Sequence, residues 1–575
     1  MSYSIIITKN DEDISWIDNL DKEAKFFIYT KNNETYKDDK YTNIKILNIK
    51  GESYTYLYHI INNYHNLTDI IIFIRGYYQD HNVKNLYHKI NDFSSVIEKD
   101  FIIKQYNLSF YQWMKIYIEK NIEKYDFKYK PDRCFSTVKQ NILSRPLDFY
   151  KMLIKQLDMQ SPEIEYFFEK AWYFIFNVHK MEIIKNPDFI VVGAGISGAT
   201  IAQQLAQLGK VLVIEKRDHL AGNCYDYIDE KTGILVSKYG AHIFHTKKEE
   251  VWKYVNQFSQ WKEYHHKVYG KLNDTLFPIP INRITINILC HQNLKNEEEV
   301  KQYLENVRDK SINEPKNGEE FCLSIMGKDL YENIFKHYTY KQWNKYPNEL
   351  DVSVLKRIPI RYDDSEGYFT DPYQALPING YAKMVENMFN NANIYTLYNT
   401  DFHELKFENK VKVFYTGPID IFYKNLSLPK LEYRSIDFQW ETLENINYFQ
   451  NNSVINYPGP NEKFTRIVEY KHFFNSNTPH TIISKEYTTD QGEPYYPVPN
   501  KYNQDNYELY RSYTKNSDVI FLGRLATYKY YNMDDAIHVA LETFSNFITS
   551  TYKINKSLTI SYHILNNKDY KHKYY

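Results

Sequence analysis

Short apolar runs and longer periodic ones alternate along the first third of the chain. Ser4–Thr8, Ala24–Tyr29, Ile44–Leu47 and Ile70–Ile74 are brief runs rich in apolar side chains. Bounded by polar stretches, such runs predict buried strands. Between them, Tyr54–Tyr64 spaces its apolar residues as one face of a helix. The pattern changes near residue 106. Tyr111–Lys120, Phe149–Leu157 and Ile164–Val178 predict amphipathic helices. The reading is an α/β domain over 1–105 and a helical extension or linker over 106–185, with Lys185-Asn-Pro-Asp as the boundary.

A second strand–turn–helix–strand pattern starts at Pro187. Phe189–Val192 suits a buried parallel strand. Gly193, Gly195 and Gly198 follow in G-x-G-x-x-G spacing: for a tight turn, for close approach to a pyrophosphate and for helix-on-strand packing. Ile201, Leu205 and Leu208 recur at helical spacing, and Gly209 is placed to cap the helix. The helix N-terminus offers N–H groups to phosphates. Val211–Ile214 is the next strand, and Glu215 at its end can hold an adenosine ribose. These features together predict a dinucleotide site. Lys216-Arg-Asp-His-Leu-Ala-Gly222-Asn223 then resembles the second glycine turn of FAD-binding proteins of the glutathione-reductase type. A plain surface loop is the other reading of that stretch.

Composition narrows the classes. A chain of 575 residues exceeds one core, so several domains are expected. With 71 basic and 72 acidic residues there is no electrostatic case for nucleic acid. Cys134, Cys224, Cys290 and Cys322 form no C-x-x-C pair, which favours a reducing, cytoplasmic setting over a disulfide or zinc framework. The start MSYSIIITKNDED lacks a signal-peptide pattern, and no apolar run is long enough to span a bilayer. The 57 tyrosines fit a bias toward AT-rich codons, so a motif tyrosine is weak evidence, whereas the seven tryptophans are not diluted in that way.

From about 187 to 550 the chain resembles the UDP-galactopyranose mutases, FAD enzymes that interconvert the pyranose and furanose forms of UDP-galactose. The resemblance is collinear and rests on YGAHIFHT from Tyr239, FPIPIN from Phe277, YTYKQWNKYPNEL from Tyr338, SVLKRIPIRY from Ser353, FYTGPID from Phe414, YRS from Tyr433, FTRIVEYKHF from Phe464, EPYYPV from Glu493 and FLGRLATYKYYNMDDAI from Phe521. It implies a Rossmann-like FAD-binding domain with an inserted helical domain and an antiparallel β-sheet domain, together spanning 186–560. A separate α/β N-terminal domain precedes it, and a basic tail over 561–575 follows.

The resemblance also implies roles. Arg357 and Arg466 would clamp the diphosphate, one of them on a mobile loop. A planar guanidinium suits that task, though singly each arginine also reads as a surface ion-pair residue. Trp343 would be the loop tryptophan, with Tyr338 and Thr339 beside it and Tyr368 on the uridine side. Asn282, Arg434, Asn456, Tyr495, Tyr496 and Tyr530 would line the nucleotide-sugar pocket. Core packing is the other reading of these aromatics. His242 would lie against the flavin and His245 toward the sugar. In an extended segment the two point to opposite faces, which suits separate roles rather than one metal site. Ser197, Lys216 and Ile243 join the glycines, Glu215 and Asn223 at the cofactor. Arg524, Tyr531, Asn532 and Met533 return to it, and a helix starting near Asp534 would aim its N-terminus at the flavin. Asn532 stands where the family often has Asp, which removes a charge there.

The implied chemistry is attack of reduced-flavin N5 on the anomeric carbon with departure of UDP, ring opening and reclosure of the flavin–sugar adduct, and return of UDP, with no net redox. An external reductant such as NAD(P)H is implied, and a homodimer is compatible. An FAD oxidoreductase of the amine-oxidase type is the alternative, sharing the fold. The first hundred residues resemble a largely uncharacterised, glycosyltransferase-like family over IIITKNDEDISW from Ile5, GESYTYLYHIINNYHNLTDIIIFIRG from Gly51 and QDHN from Gln79. Asp11-Glu12-Asp13 is a candidate nucleotide-sugar contact there, and Asp80-His81 a candidate contact to a metal or an acceptor. A helix N-terminus and a turn are their other readings.

Overall fold

The computed structural model describes residues 3–9, 14, 17, 24–30, 41–45, 51–68, 70–75, 102–103, 108–109, 113–114, 118, 135–157, 162–176, 186–356, 359–405, 407, 411–514 and 517–552. Arg357, Asp11-Glu12-Asp13, Asp80-His81, Cys134 and the basic tail fall outside them. The chain divides into two units, one of 1–190, 209–219 and 392–411, the other of 191–208, 220–391 and 412–575.

In the first unit, strand β1 (Tyr3–Lys9) pairs in parallel with β2 (Lys25–Thr30) on one side and β4 (Ile70–Arg75) on the other. Strand β3 (Tyr41–Lys45) extends the parallel set beyond β2, and β5 (Phe135–Val138) adds antiparallel to β4, in the order β3-β2-β1-β4-β5. Alternation splits the side chains between two faces. Ile5, Ile7, Phe26, Ile28, Ile72 and Ile74 form one cluster, while Ile6, Tyr29, Ile71 and Phe73 belong to another. Burial on both faces explains why these strands read as unbroken apolar runs.

The second cluster is completed by helices α1 (Glu52–Asn63), α2 (Leu147–Leu157) and α3 (Pro162–Ile175), through Tyr56, Leu153 and Phe167 among others. Here the structure revises the expected organisation. The helices α2 and α3 are not a detached extension but share one core with the strands. An amphipathic helix must bury its stripe, and the open face of this sheet is where that happens. Strand β5 had no sequence signal of its own, and β3 begins at Tyr41 rather than Ile44.

Strand β6 (Phe189–Val192) starts in the first unit and ends in the second. Within the first, β7 (Val211–Ile214) pairs in parallel with Ile394–Leu397. Within the second, Lys412–Tyr415 pairs in parallel with Val519–Phe521, and the Thr416 amide donates to Val192 O. Helix α4 (Ile196–Leu205) follows the glycine turn and stops before Gly209. Leu208 is thus 39% exposed. Gly209 serves space, not a cap: a Cβ there would lie 2.4 Å from Asp188 Oδ2.

The rest of the second unit holds a seven-stranded sheet, a three-stranded and a two-stranded sheet, and a set of helices. Going across the seven-stranded sheet, the strands are Thr275–Ile279, Val268–Leu272, Val454–Asn456, Arg466–Glu469, Thr481–Thr489, Tyr433–Leu443 and Tyr496–Pro497. All neighbours are antiparallel except Val268–Leu272 with Val454–Asn456. One core joins this sheet to the helices, α5 (His337–Trp343) included. The long helix α6 (Met533–Tyr552) packs along α4. Among the described residues, no helix is long and apolar enough to cross a membrane.

Candidate active site

Glycines build a cradle whose shape any side chain would destroy. A Cβ at Gly198 would lie 1.9 Å from Gly193 O, and one at Gly193, where φ is +94°, would lie 2.2 Å from Thr416 Oγ1. The second glycine turn presses on the first: Gly195 bridges Ala221, the Ala221 amide donates to Ala194 O at 2.9 Å, and a Cβ at Gly222 would meet Gly195 Cα at 2.9 Å. The returning segment closes in as well, because a Cβ at Gly523 would stand 3.1 Å from Ser197 Oγ. The first-turn amides of α4 lack partners within the helix, the arrangement that receives a phosphate. Asn223 is half-buried there and Lys216 is exposed. In the first unit, Glu215 caps the end of β7, buried, with Oε1 accepting from the Arg217 amide at 2.9 Å.

The two histidines of HIFHT have separate partners. His242 Nδ1 lies 2.7 Å from Gly240 O. A carbonyl only accepts, so Nδ1 carries the proton. Burial pushes this imidazole down to about 4, so it is neutral at pH 7. His245 Nδ1 is instead 2.7 Å from Asp371 Oδ2, and its ring stacks on Phe369 at 3.7 Å. Ile243, between them, packs on the core of the sheet and helices.

Helix α6 begins at Met533, as its sequence suggested. Its first-turn acids are matched at once: Thr246 Oγ1 donates to Asp534 at 2.9 Å, and Lys248 Nζ reaches Asp534 at 3.3 Å and Asp535 at 2.5 Å. Asn532 is exposed, and its carbonyl accepts from the Ala536 amide. Arg524 lies 5.2 Å from the centres of both the Tyr496 and Tyr530 rings and donates to Tyr531 O at 2.6 Å.

Arg466 opens the strand Arg466–Glu469. Its Nε lies 3.3 Å from Glu486 Oε2, an ion pair that lacks hydrogen-bond geometry, and Glu486 is 3% exposed. Burial opposes the charge on Arg466, but Tyr338, Glu486, Tyr496 and Tyr368 around it outweigh that and hold the guanidinium above its ordinary value. Burial raises Glu486, with Arg466 opposing. Directly across the ladder stands Asn456, whose Oδ1 is buried without a hydrogen-bond partner. His266 Nδ1 is in the same condition, and burial drives that imidazole down to about 3. Buried polar atoms cost free energy unless paired, and three such atoms, Arg466 Nε, Asn456 Oδ1 and His266 Nδ1, collect here.

The structure therefore brings together Arg466, Asn456, Tyr338, Tyr368 and Tyr496 from five separated stretches. Tyr495 is buried and Tyr530 is exposed near them, with the Tyr496 and Tyr530 rings stacked at 5.7 Å. Other expected pocket residues are engaged in holding the fold. Asn282 caps the helix Arg283–Leu289, accepting from the Thr285 amide at 2.9 Å and donating to Ser365 O at 3.1 Å. Arg434 donates from Nε to Gln342 O at 3.0 Å, at the end of α5, and pairs with Asp490. Trp343 is 3% exposed and Thr339 2%, and Trp343 packs in the core.

Sequence reasoning missed Glu486, His266, Asp371 and Lys341. Only Glu486 had a legible signal. It is in phase with Ile482 and Ser484 along an alternating strand, so an acid falls on the buried face.

Comparison with known proteins fits this geometry. Residues 333–530 match the family described as UDP-galactopyranose mutase, and 191–258 match an NAD(P)-binding Rossmann-like domain. Residues 5–110 match a family described only as a protein of unknown function, so the glycosyltransferase likeness gains no support there. A probable UDP-galactopyranose mutase of Klebsiella pneumoniae is 38% identical over 64% of this chain and 96% of its own length. A dTDP-fucopyranose mutase of Escherichia coli is 34% identical over 62% and 98%. A solved structure of reduced UDP-galactopyranose mutase superposes with a TM-score of 0.50 at 14% identity, covering 65% of this chain and 98% of that one, which shows the shared fold. On the span, identity and coverage of these matches, the chain belongs to the UDP-galactopyranose mutase family, whose members are isomerases.

Proposed function

We propose that this protein interconverts UDP-galactopyranose and UDP-galactofuranose, using FAD in its reduced form and no net redox. The observation that carries the reading is the ring of tyrosines and unpaired polar atoms around Arg466. A diphosphate would supply acceptors to this half-buried guanidinium, in bidentate geometry. Arg466 then stabilises charge that grows on the diphosphate as the anomeric bond breaks, and Arg357 keeps the same expected role. His245, its ring set by Asp371 and Phe369, would keep one tautomer toward the sugar. Tyr338 and Tyr368 would line the nucleotide side of the pocket, and Tyr496 its wall.

The residues present fit a flavin dinucleotide. Gly193, Gly195, Gly198 and Gly222 leave a cradle that a Cβ would fill, Ser197 and Asn223 stand beside it, and Glu215 keeps its assignment to the ribose. Arg524 and Tyr531–Met533 would meet the isoalloxazine end. When bound and reduced, FAD supplies the nucleophilic nitrogen that takes the sugar from UDP. An external donor such as NAD(P)H would reduce it.

The test is chromatography of UDP-galactofuranose incubated with the purified protein, with and without dithionite. Conversion only with reductant is the expected result. Equal turnover with oxidised flavin would overturn the mechanism. Steady oxygen consumption with an amine would favour the amine-oxidase alternative instead.

One observation favours a second ligand, in the first unit. Its sheet changes direction of winding between β1 and β4, and open parallel sheets bind ligands at the carboxyl ends of strands at such a point. Thr8 and Lys9 end β1 there, both buried. This supports a nucleotide or nucleotide-sugar site, as a transferase would need. Retention of one UDP per chain after Arg466→Ala would support it, and complete loss would count against it.

A further inference from the structure

Asn456 and Arg466 form the base of a hairpin whose turn is Tyr457–Thr465. That turn contains Pro458 and Pro460, which have no N–H to donate. Its carbonyls point inward to a single side chain from elsewhere in the sequence. Lys341 Nζ donates to Gly459 O at 2.8 Å, Glu462 O at 3.1 Å and Phe464 O at 3.2 Å, and also to Tyr457 O. Lys341 sits on α5, three residues beyond Tyr338, so the two share a face of the helix. Thr488 Oγ1 donates to the Lys341 carbonyl, and Arg434 to that of Gln342, so the end of α5 is held in turn.

We propose that Lys341 is a positioning residue whose ammonium replaces the missing donors of the Tyr457–Thr465 turn and so sets Arg466 and Asn456 against Tyr338. The ammonium acts as an internal cation with backbone carbonyls as its ligands. Burial pushes it down to about 8, against the pull of Glu462, so it is mostly charged at neutral pH. Removing it leaves four part-buried carbonyls without this donor, and the turn loosens as they turn to water. The functional half of this inference rests on Arg466 being the diphosphate contact. The structural half does not.

The experiment uses the full chain loaded with FAD and compares wild type with Lys341→Met and Lys341→Ala. Amide hydrogen exchange over 459–465 should quicken by about tenfold or more while distant segments stay unchanged. UDP affinity should fall about tenfold, and KM should rise more than kcat falls. Adding n-propylammonium to Lys341→Ala should restore both, whereas n-propanol should not. Unchanged exchange in the turn, or a loss of affinity that the amine does not repair, would overturn the proposal. If Lys341→Met fails to fold, Lys341→Arg decides. It keeps the charge, but a planar fork cannot serve four converging carbonyls. Wild-type exchange and affinity in that variant would overturn the proposal too. A wild-type protein that binds no UDP would instead sink the functional reading, and the exchange result would still judge the pin.

Discussion

The first unit hides its largest aromatic rings, whereas the second keeps several of its own half-exposed around the half-buried Arg466. Of the fully buried tryptophan and tyrosine side chains among the described residues, only Tyr470 lies in the second unit, whose other fully buried rings include the phenylalanines Phe244, Phe277 and Phe414. In the first, Tyr56, Tyr64, Tyr150, Phe73, Phe167 and Trp113 fill one core. Their hydroxyls are disposed of inside it: Tyr150 OH donates to Ile142 O at 2.8 Å, and Tyr29 OH meets His59 Nδ1 at 2.8 Å. In the second, Tyr338, Tyr368 and Tyr496 are partly buried beside Arg466, and Tyr530 is 41% exposed. A tyrosine-rich composition thus serves two ends. Where a ring can be buried whole, it stabilises. Where a cavity must stay open for a polar ligand, the same residue lines a wall.

The largest effect should come from breaking the first pattern. Phe73→Ala should destabilise the first unit by about 3–5 kcal/mol, the usual cost of emptying a large aromatic site. Calorimetry would show this as an earlier first transition, while mutase turnover measured well below it stays near wild type. A matching loss of turnover would show that the two cores do not act separately.

Arg466→Ala should invert that outcome. Losing one preorganised donor to a growing anion costs about 2.7–4 kcal/mol, on the order of a hundredfold to a thousandfold in rate. Flavin content should barely change, the second transition should fall only as far as unpairing the buried Glu486 requires, and Lys should rescue only in part. Chromatographic turnover and flavin absorbance on one sample check both halves.

A smaller effect sharpens the comparison through pH. Burial lowers His59 in the first unit and His266 in the second to about 3 each. Both folded values lie below the ordinary 6.5, so the unfolded chain binds more protons between those limits. Stability is therefore complete above about 6.5 and declines as pH falls toward 3. Only His266 is also held down by Arg466 and His245. Arg466→Ala should accordingly make the second transition less acid-sensitive and leave the first unchanged. Scanning calorimetry from neutral pH downward tests this, and equal slopes in both proteins would refute the coupling.

The smallest predicted effect concerns Asn282, where local structure and pocket compete for one side chain. Asn282→Ala should cost about 1 kcal/mol, as for loss of an N-cap, with KM for the nucleotide sugar moving less than for Arg466→Ala. A large rise in KM with an unchanged melting temperature would return Asn282 to the pocket.

Much of the fold was legible. Strands β1, β2 and β4, helices α1 to α3 and the glycine turn lie close to where periodicity and turn residues put them, because those signals are local. The place of α2 and α3 was not legible. Their stripes predicted burial but not which face would receive them, and β5 carried no period that set it apart.

The sequence by itself determined the glycine cradle, the acid at the end of β7, the start of α6 and the family, since each depends on residue type at short spacing. Only the tertiary structure decided what each polar side chain does with its hydrogen bonds. Arg434 and Arg466 look alike in sequence, each at the start of a strand. Arg434 meets Gln342 O and Asp490 and becomes a brace, while Arg466 stays half-exposed beside one buried acid. Lys341 reads as a solvated lysine until the turn at Tyr457–Thr465 folds over it. The reason is that a hydrogen bond depends on a partner's position to within a few tenths of an ångström. Between residues a hundred or more positions apart, that position belongs to the packing and not to the local sequence.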